Sequence, residues 1–260
     1  MSHWQQYPRH WALIKPPLRP HADVVARLQN LVGSHRNAVL LLGVTPEIAE
    51  AFDTIDAVDN SPAMISAVWP GDSPSKRAVE GDWLELTGPE EGFDAIIGDG
   101  SINALTSLKD IEKFFRIVLR LLKPDACFAC RLFERPAIAF EMDDLLRSAA
   151  SRGLVNFHAF KWQLAMHIAG YTSSTVRVEL ISQRFNEMFP DRDELAQRTG
   201  WLRKEIDTID VYQGSPLAYS FPNRVEIQQT LPPGISGLEF QACGDYDLAP
   251  CCPILTFRKA

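Results

Sequence analysis

Short polar segments follow the ends of four apolar runs in the N-terminal half of the chain. In chain order these segments are residues 43–47, 59–61, 81–83 and 98–100. If the runs are parallel strands, their carboxyl ends meet at one edge of a sheet, where open α/β sheets bind ligands. Three of the segments contain an aspartate, and a carboxylate can accept two hydrogen bonds from a cis-diol. The pattern therefore predicts a site suited to a nucleoside.

The elements that must position these segments alternate between strands and helices. Apolar runs predict strands at 38–42, 54–58, 77–80, 93–97 and 126–133, and again at 238–242 and 253–258. Ser61 followed by Pro62 is typical of a helix N-terminus. Apolar residues recur at three- and four-residue intervals from 108 to 122, which indicates an amphipathic helix that Lys123 and Pro124 end. This alternation is typical of a parallel sheet with helices on both faces.

The strand pattern stops between about residues 140 and 220. Apolar residues at helical spacing predict a helix from 178 that ends at Pro190, and a second helix is predicted at 155–169. The stretch 212–221 is rich in Gly, Ser, Pro and Tyr and predicts an ordered loop. Asn223 with Glu226 resembles a capping box, so a helix is expected to begin there. We interpret the middle region as an inserted helical lid.

Composition limits the classes of function. The chain has 260 residues, of which 46% are hydrophobic and 23% charged, as in an ordinary globular protein. A net charge of −7 gives no basic field for a phosphate backbone, so nucleic acid is not expected as a partner. No apolar run is long enough to span a membrane, and the N-terminus has no signal-peptide core, which predicts a cytoplasmic protein. Cys127 and Cys130 lack a second pair with suitable spacing, so no metal site is predicted.

Several segments together resemble one enzyme family. "IDAVDNSPAMI" contains the second strand end, "GDWLEL" the third, and "FDAIIGDGSINAL" the fourth, while "VLRLLKPDACFACRLF" leads into the fifth strand. With the final "LEFQACGDYDLAPCCPILTFRK", this series is similar to class I S-adenosylmethionine (SAM)-dependent methyltransferases. The resemblance covers about residues 38–135 and the last two strands. It implies a Rossmann-like, seven-stranded, mostly parallel α/β sheet with an antiparallel last strand, to which the helical lid is an insertion.

The resemblance also implies SAM as the cofactor and assigns residues to it. Asp59 corresponds to the acid that binds both ribose hydroxyls, Asp82 would accept the adenine amino group, and Trp83 would flank the adenine ring. The complete set of predicted cofactor-binding residues is Gly43, Thr45, Pro46, Asp59, Asn60, Met64, Gly81, Asp82, Trp83, Gly98, Asp99 and Gly100. The expected reaction is transfer of the methyl group to a small-molecule acceptor, with release of S-adenosylhomocysteine.

The first motif departs from the family pattern. The family has an acid followed by G-x-G-x-G, whereas this chain has Leu41 in place of the acid and only Gly43 of the three glycines. Glu47 suits the start of a helix but not an anionic phosphate, which argues against a dinucleotide. Two alternatives stay open. One is a non-catalytic SAM-fold binding or regulatory protein. The other is a nicotinamide-dependent oxidoreductase, which the absence of G-x-G-x-x-G disfavours.

The domain organisation follows from these segments. Residues 1–37 are an aromatic, helical N-terminal segment, 38–139 the SAM-binding core, 140–221 the lid or substrate insertion, and 222–260 the helix and hairpin that complete the core. The N-terminal aromatic residues either close over the pocket or pack against the sheet edge. The lid helices either cover the site or form a dimer interface through a stripe that includes Ile181 and Phe185. Candidate catalytic residues are Asp99, His167 and Tyr212.

Overall fold

The protein is described here by a computed structural model that covers residues 2–33, 37–150, 155–170 and 174–260. Its strands are β1 (Val39–Leu42), β2 (Ile55–Asp59), β3 (Lys76–Glu80), β4 (Phe93–Asp99), β5 (Leu122–Arg131), β6 (Thr175–Arg177), β7 (Ala218–Ser220), β8 (Ile235–Gln241) and β9 (Ile254–Lys259). Seven of them form one sheet in the order β3-β2-β1-β4-β5-β9-β8. β1 to β5 pair in parallel, and β9 lies antiparallel between β5 and β8. The predicted sheet, including its antiparallel last strand, is confirmed.

The α-helices flank this sheet and build the segment between β5 and β8. They are α1 (Ala22–Val32), α2 (Pro46–Ala51), α3 (Pro62–Val68), α4 (Leu108–Leu121), α5 (Met142–Ala150), α6 (Phe157–Gly170), α7 (Val178–Met188), α8 (Arg192–Thr199), α9 (Arg203–Ile206) and α10 (Arg224–Thr230). Ser61 caps α3 by accepting from the Met64 backbone N–H, and Asn223 with Glu226 forms a capping box on α10. Both helix starts were predicted from the sequence. No described helix is long and apolar enough to cross a membrane.

The strand register brings the predicted site segments to one edge. Leu42 at the end of β1 pairs with Val58 on one side and Gly98 on the other. Asp59 pairs with Glu80, so β2 and β3 end at the same level and the segments that follow them begin side by side. All four residues of β1 are buried, because helices cover both faces of the sheet. The site edge therefore rests on strands that packing holds on both sides.

The middle of the chain differs from the prediction in two places. β6 and β7 form an antiparallel pair in a region expected to lack strands, and β7 lies inside the predicted loop 212–221. Each strand has only three residues, too few for the alternation that reveals a strand in a sequence. In addition, β5 begins at Leu122, so Lys123 and Pro124 lie in the strand rather than in a connecting loop. Parts of the predicted segments 1–37 and 140–221, namely residues 1, 34–36, 151–154 and 171–173, lie outside the described residues.

The apolar stripe of α7 is buried within the chain itself. Ile181 and Phe185 have no exposed surface, and the Phe185 ring lies 5.6 Å from that of Phe157 and 5.4 Å from that of Phe189. α6 supplies much of this cover, because almost its whole circumference is buried. A second chain is therefore not needed to bury this stripe.

Candidate functional site

A cavity of about 300 Å³ lies at the carboxyl edge of the sheet. It is lined by most of the predicted cofactor-binding residues, namely Gly43, Thr45, Asp59, Asn60, Met64, Asp82, Trp83, Asp99 and Gly100. Pro46, Gly81 and Gly98 do not line it. Pro46 begins α2, and a Cβ on Gly98 would come within 2.5 Å of the Ser101 hydroxyl oxygen and 3.1 Å of the Cys130 sulfur. Close packing of β4 against its surroundings therefore accounts for Gly98.

Asp59 ends β2 and its carboxylate borders the cavity. Its Oδ1 accepts a hydrogen bond from the Ser61 backbone N–H at 2.8 Å. Burial raises the pKa of Asp59 to about 6, and the hydrogen bond from Ser61 opposes that rise. A carboxylate in this state gains from further hydrogen-bond donors, because they stabilise its charged form. Two ribose hydroxyls are such donors.

The loop after β1 leaves space in front of this carboxylate. Gly43 has φ +110°, which an L side chain rarely adopts, and its N–H donates to the Val58 carbonyl at 2.8 Å. A Cβ at Gly43 would stand 3.9 Å from Asp59 Oδ2. The one glycine that the loop retains thus leaves the space in front of the Asp59 carboxylate open. Leu41, which replaces the acid of the family motif, is fully buried in the core and does not reach the cavity.

The segment after β3 forms the next part of the lining. The Trp83 indole N–H donates to the Val58 carbonyl at 2.8 Å, which fixes the ring beside the end of β2. Asp82 is exposed at the cavity rim, and its Oδ1 accepts from the Leu84 N–H at 2.8 Å. A planar ring held beside an acceptor at the rim suits a purine, whose amino group needs an acceptor.

Asp99 is held by a residue that the sequence analysis did not single out. Both of its carboxylate oxygens accept from Arg131, with Nε to Oδ1 at 2.5 Å and Nη2 to Oδ2 at 3.0 Å. Burial disfavours the charged form of Arg131, but the Asp99 carboxylate outweighs this and raises the pKa of Arg131 above its usual range. Both side chains are buried. Asp99 therefore lines the cavity as half of an ion pair rather than as a free base.

The other two predicted catalytic residues lie outside the cavity lining. His167 on α6 is mostly buried, and its Nδ1 is 2.5 Å from the Phe140 carbonyl oxygen. Tyr212 is fully buried behind the cavity, with its ring 5.4 Å from the His3 ring and 6.3 Å from the Tyr219 ring. The structure thus does not bring His167 or Tyr212 together with Asp99 at the cavity.

The cavity wall opposite the sheet is aromatic and comes from distant parts of the chain. We call the rings of His3, Trp4, Tyr7, Phe133, Trp162 and Tyr219 the aromatic wall; all six residues line the cavity. Three come from the N-terminal segment, and the others from the segment after β5, α6 and β7. The N-terminal aromatic residues were expected either to close over the pocket or to pack against the sheet edge, and in the structure they border the pocket.

His3 connects the N-terminal segment to β7. Its Nε2 lies 2.6 Å from the Tyr219 hydroxyl, and its Nδ1 lies 3.1 Å from the Ser215 hydroxyl. Burial, helped by the positive charge of Lys161, lowers the pKa of His3 to about 3, so the imidazole is neutral. Sequence reasoning missed this residue, because its partners lie more than two hundred positions away. A second link joins the Arg19 guanidinium to the Glu47 carboxylate at the start of α2.

Comparison with known proteins agrees with this geometry. Residues 43–130 match the family model of a methyltransferase domain. No curated protein matches the chain. Among solved structures, the N-methyltransferase NodS from Bradyrhizobium japonicum WM9, in complex with S-adenosyl-L-homocysteine, is 11% identical and has a TM-score of 0.52, with 100% of this chain and 99% of that chain covered. The CcbJ methyltransferase from Streptomyces caelestis is 14% identical with a TM-score of 0.58, covering 100% and 98%.

A third solved structure carries a different description. A putative Zn-dependent alcohol dehydrogenase from Rhodobacter sphaeroides is 10% identical, with a TM-score of 0.61 and 100% of both chains covered. At such identities a likeness shows the fold alone. Residues 43–130, which match the methyltransferase domain, contain β2 to β4, whose carboxyl ends border the cavity. The matched domain and the position of the cavity therefore agree with SAM-dependent methyl transfer.

Proposed function

We propose that this protein is a SAM-dependent methyltransferase that transfers the methyl group of SAM to a small molecule held between the carboxyl edge of the sheet and the aromatic wall. The observation that carries the proposal is the cavity itself. Its volume of about 300 Å³ is at the lower end of the range for small-molecule sites. A polymeric acceptor would need an open groove, whereas this cavity lies between the sheet edge and the aromatic wall.

The charges in the cavity support the same class of acceptor. Four aspartates line it, namely Asp59, Asp82, Asp99 and Asp110, and no lysine or arginine is among its described lining residues. Such a lining repels phosphate, so a nucleic acid is not a suitable acceptor. The acidic net charge of −7 agrees with this.

The chain's own residues have separate roles in this proposal. Asp59 would hold the ribose hydroxyls, Asp82 and Trp83 would hold the adenine, and the backbone of 43–45 would border the methionine part of SAM. Asp99 is a positioning residue, because its ion pair with Arg131 ties the end of β4 to the end of β5. SAM supplies an activated methyl group, so the protein's task is alignment, which contributes up to about 7–11 kcal/mol in favourable cases.

We extend the proposal to the segment 140–221 as a lid over the acceptor. Trp162, Leu217, Ala218 and Tyr219 line the cavity and come from this segment. Together with the N-terminal segment they cover the side of the cavity that faces away from the sheet, which would exclude water during transfer. We also place the reaction in the cytoplasm, since all five cysteines are free thiols, as is typical of a reducing compartment.

The test follows the methyl group. Protein would be incubated with SAM labelled in its methyl group and a fractionated cell extract, and the label would be located after separation by size. The label is expected in the small-molecule fraction, with release of S-adenosylhomocysteine, and the variant Asp59→Ala should lose this activity. Label in the nucleic acid or protein fraction would contradict a small-molecule acceptor. Absence of SAM binding by calorimetry would contradict the proposed reaction altogether.

A further inference from the structure

The aromatic wall is a continuous set of ring contacts. The Trp162 ring centroid lies 5.6 Å from that of Phe133 and 5.0 Å from that of Tyr219. The Tyr219 ring centroid lies 6.3 Å from that of Trp4, and the Trp4 centroid lies 5.4 Å from that of Tyr7. These are the separations at which aromatic rings attract one another, so the wall holds its shape without a ligand. Ring faces attract cations through their negative quadrupole.

The electrostatics of the cavity also favour a positive charge. The only groups of the described lining that could be positive or negative near neutral pH are its aspartates and His3. His3 is neutral, because burial and the nearby Lys161 lower its pKa to about 3. The lining therefore has a net negative charge. Two nearby cations, Arg131 and Lys161, are not among its lining residues, and Arg131 is paired with Asp99.

The groups beside the aromatic wall are poor proton acceptors. Both ring nitrogens of His3 are engaged by hydroxyls. Burial raises the pKa of Tyr7 and of Tyr219, so both phenols keep their protons. Both carboxylate oxygens of Asp99 accept hydrogen bonds from Arg131. A hydroxyl acceptor must lose its proton on attack and needs a base, whereas a neutral amine does not.

We propose that the acceptor is a small amine, held with its nitrogen against the aromatic wall. This inference rests on the proposed function. The nitrogen lone pair forms the new N–CH₃ bond as the S–CH₃ bond breaks, and the electron pair of the broken bond stays on sulfur. One positive charge, on sulfur before transfer, is on the methylammonium nitrogen afterwards. The aromatic wall and the acidic lining stabilise that charge at both positions, and no base is required.

Tyr219 positions the amine. In the tautomer of neutral His3 that has its proton on Nδ1, the Tyr219 hydroxyl donates to Nε2 at 2.6 Å, and the Tyr219 oxygen keeps lone pairs that can accept an N–H of the acceptor. This contact points the nitrogen lone pair away from Tyr219 and toward the sheet edge. The amine enters as the free base, its proton having been lost to water, so kcat/KM should rise about tenfold per pH unit below the pKa of the amine.

A binding experiment tests the wall without turnover. Choline is a methylated ammonium, and dimethylbutanol is its uncharged carbon isostere. Calorimetry would be done in the presence of saturating S-adenosylhomocysteine. Choline should bind about threefold to thirtyfold more tightly than dimethylbutanol, which is the range for a cation on aromatic faces. Equal binding of the two, or binding of neither, would overturn the inference.

Variants of the aromatic wall test whether its rings cause the preference for choline over dimethylbutanol. Trp4→Leu and Trp162→Leu should each reduce this preference while S-adenosylhomocysteine still binds. Trp69→Leu is the matched control, because Trp69 lies outside the cavity lining and its indole N–H donates to Asp72. If the wall variants do not fold, the comparison of choline with dimethylbutanol on the wild-type protein decides alone. A preference that survives loss of both rings contradicts a role for the wall.

Turnover separates this inference from the proposed function. Matched acceptors that share a carbon skeleton and carry an amine, an alcohol or a phenol would be assayed for release of S-adenosylhomocysteine. Methylation of amines alone supports the inference. Methylation of the phenols alone overturns it and leaves the small-molecule methyltransferase intact. Failure of SAM to bind removes both.

Discussion

Arg131 and Asp99 are register partners on adjacent parallel strands, and the guanidinium of one holds both carboxylate oxygens of the other. Neither side chain has more than 5% exposed surface. Arg131 also lies 5.0 Å from the Phe133 ring, so the pair connects the cofactor edge of the sheet to the aromatic wall. Disturbing the pair should therefore affect stability and acceptor alignment together.

Replacing Arg131 with methionine should leave a buried, uncompensated carboxylate. We expect Arg131→Met to lower the free energy of unfolding by about 3–5 kcal/mol. The double variant Arg131→Met with Asp99→Asn should recover most of this loss, because the amide carries no charge. Urea denaturation of the four proteins in this cycle measures the effect. A double variant no more stable than the Arg131→Met protein would show that the ion pair is not its cause.

Gly100 allows the Phe133 ring to lie against the end of β4. Its φ is +70°, and a Cβ there would come within 2.7 Å of Phe133 Cε2. Gly100→Ala should destabilise the protein by about 2–4 kcal/mol and reduce methyl transfer, because backbone strain adds to a displaced ring. Gly214→Ala is the matched control, since Gly214 has φ +63° and nothing within 4 Å of the added Cβ. Equal losses in the two variants would assign the effect to the backbone alone.

The parts of the fold that depend on local pattern could be predicted from the sequence. The seven strands, the caps at Ser61 and Asn223 and the position of Asp59 each follow from residues within one short window. β6 and β7 could not be predicted, because a strand of three residues is too short to show the alternation of apolar and polar residues. Two of the three glycines of the family motif are absent, yet the cavity is present at this edge of the sheet, where Gly43 has φ +110°.

The acceptor side of the site depends on contacts between distant residues. His3 meets Tyr219 only after the whole chain has folded, and no local signal connects them. The residue type of His167 makes it a candidate, but its position on α6 places it beside Phe140 rather than in the cavity. Residue type predicts chemistry, whereas the orientation of a helix decides which side chains reach the site.

The affinity for S-adenosylhomocysteine should depend on pH through Asp59. Burial raises the pKa of this carboxyl group to about 6, opposed by the hydrogen bond from Ser61. Ribose hydroxyls bind the charged form, so affinity should be full above this pH and fall about tenfold per unit below it. Calorimetry between about pH 5 and pH 8 measures the slope. Asp59→Asn should bind weakly and with no slope; an equal slope in that variant would place the titrating group elsewhere.

The same shift makes Asp59 costly to the ligand-free protein. A carboxyl whose folded pKa is raised stabilises the fold below its unfolded value of 3.8, and this is lost as pH rises through about 6. At neutral pH the charged group therefore destabilises the fold. Asp59→Asn should raise the free energy of unfolding of the ligand-free protein by about 1–3 kcal/mol while weakening cofactor binding. Thermal denaturation without ligand checks this, and a variant less stable than the wild type at neutral pH would contradict it.

Lys161 is another buried ionisable group with a clear consequence for stability. It lies on α6, fully buried, and its ammonium has no hydrogen-bond partner among the residues that the structure describes. The ammonium nitrogen lies 4.6 Å from the centroid of the Tyr212 ring and 5.7 Å from that of Phe157. Ring faces compensate only part of the lost hydration of a charge.

Replacing Lys161 with methionine should stabilise the protein and flatten its dependence on pH. Burial lowers the pKa of Lys161 from 10.5 to about 7. Between these values the unfolded chain binds more protons than the folded one, so stability should rise with pH over that window. Below about pH 7 the full cost applies, and Lys161→Met should raise the free energy of unfolding by about 3–5 kcal/mol. Lys204→Met is the control, because Lys204 is exposed on α9. Urea denaturation at about pH 6 and pH 9 distinguishes the outcomes: a wild-type protein equally stable at both, with no gain in Lys161→Met, would show that the lysine is not held charged in the core.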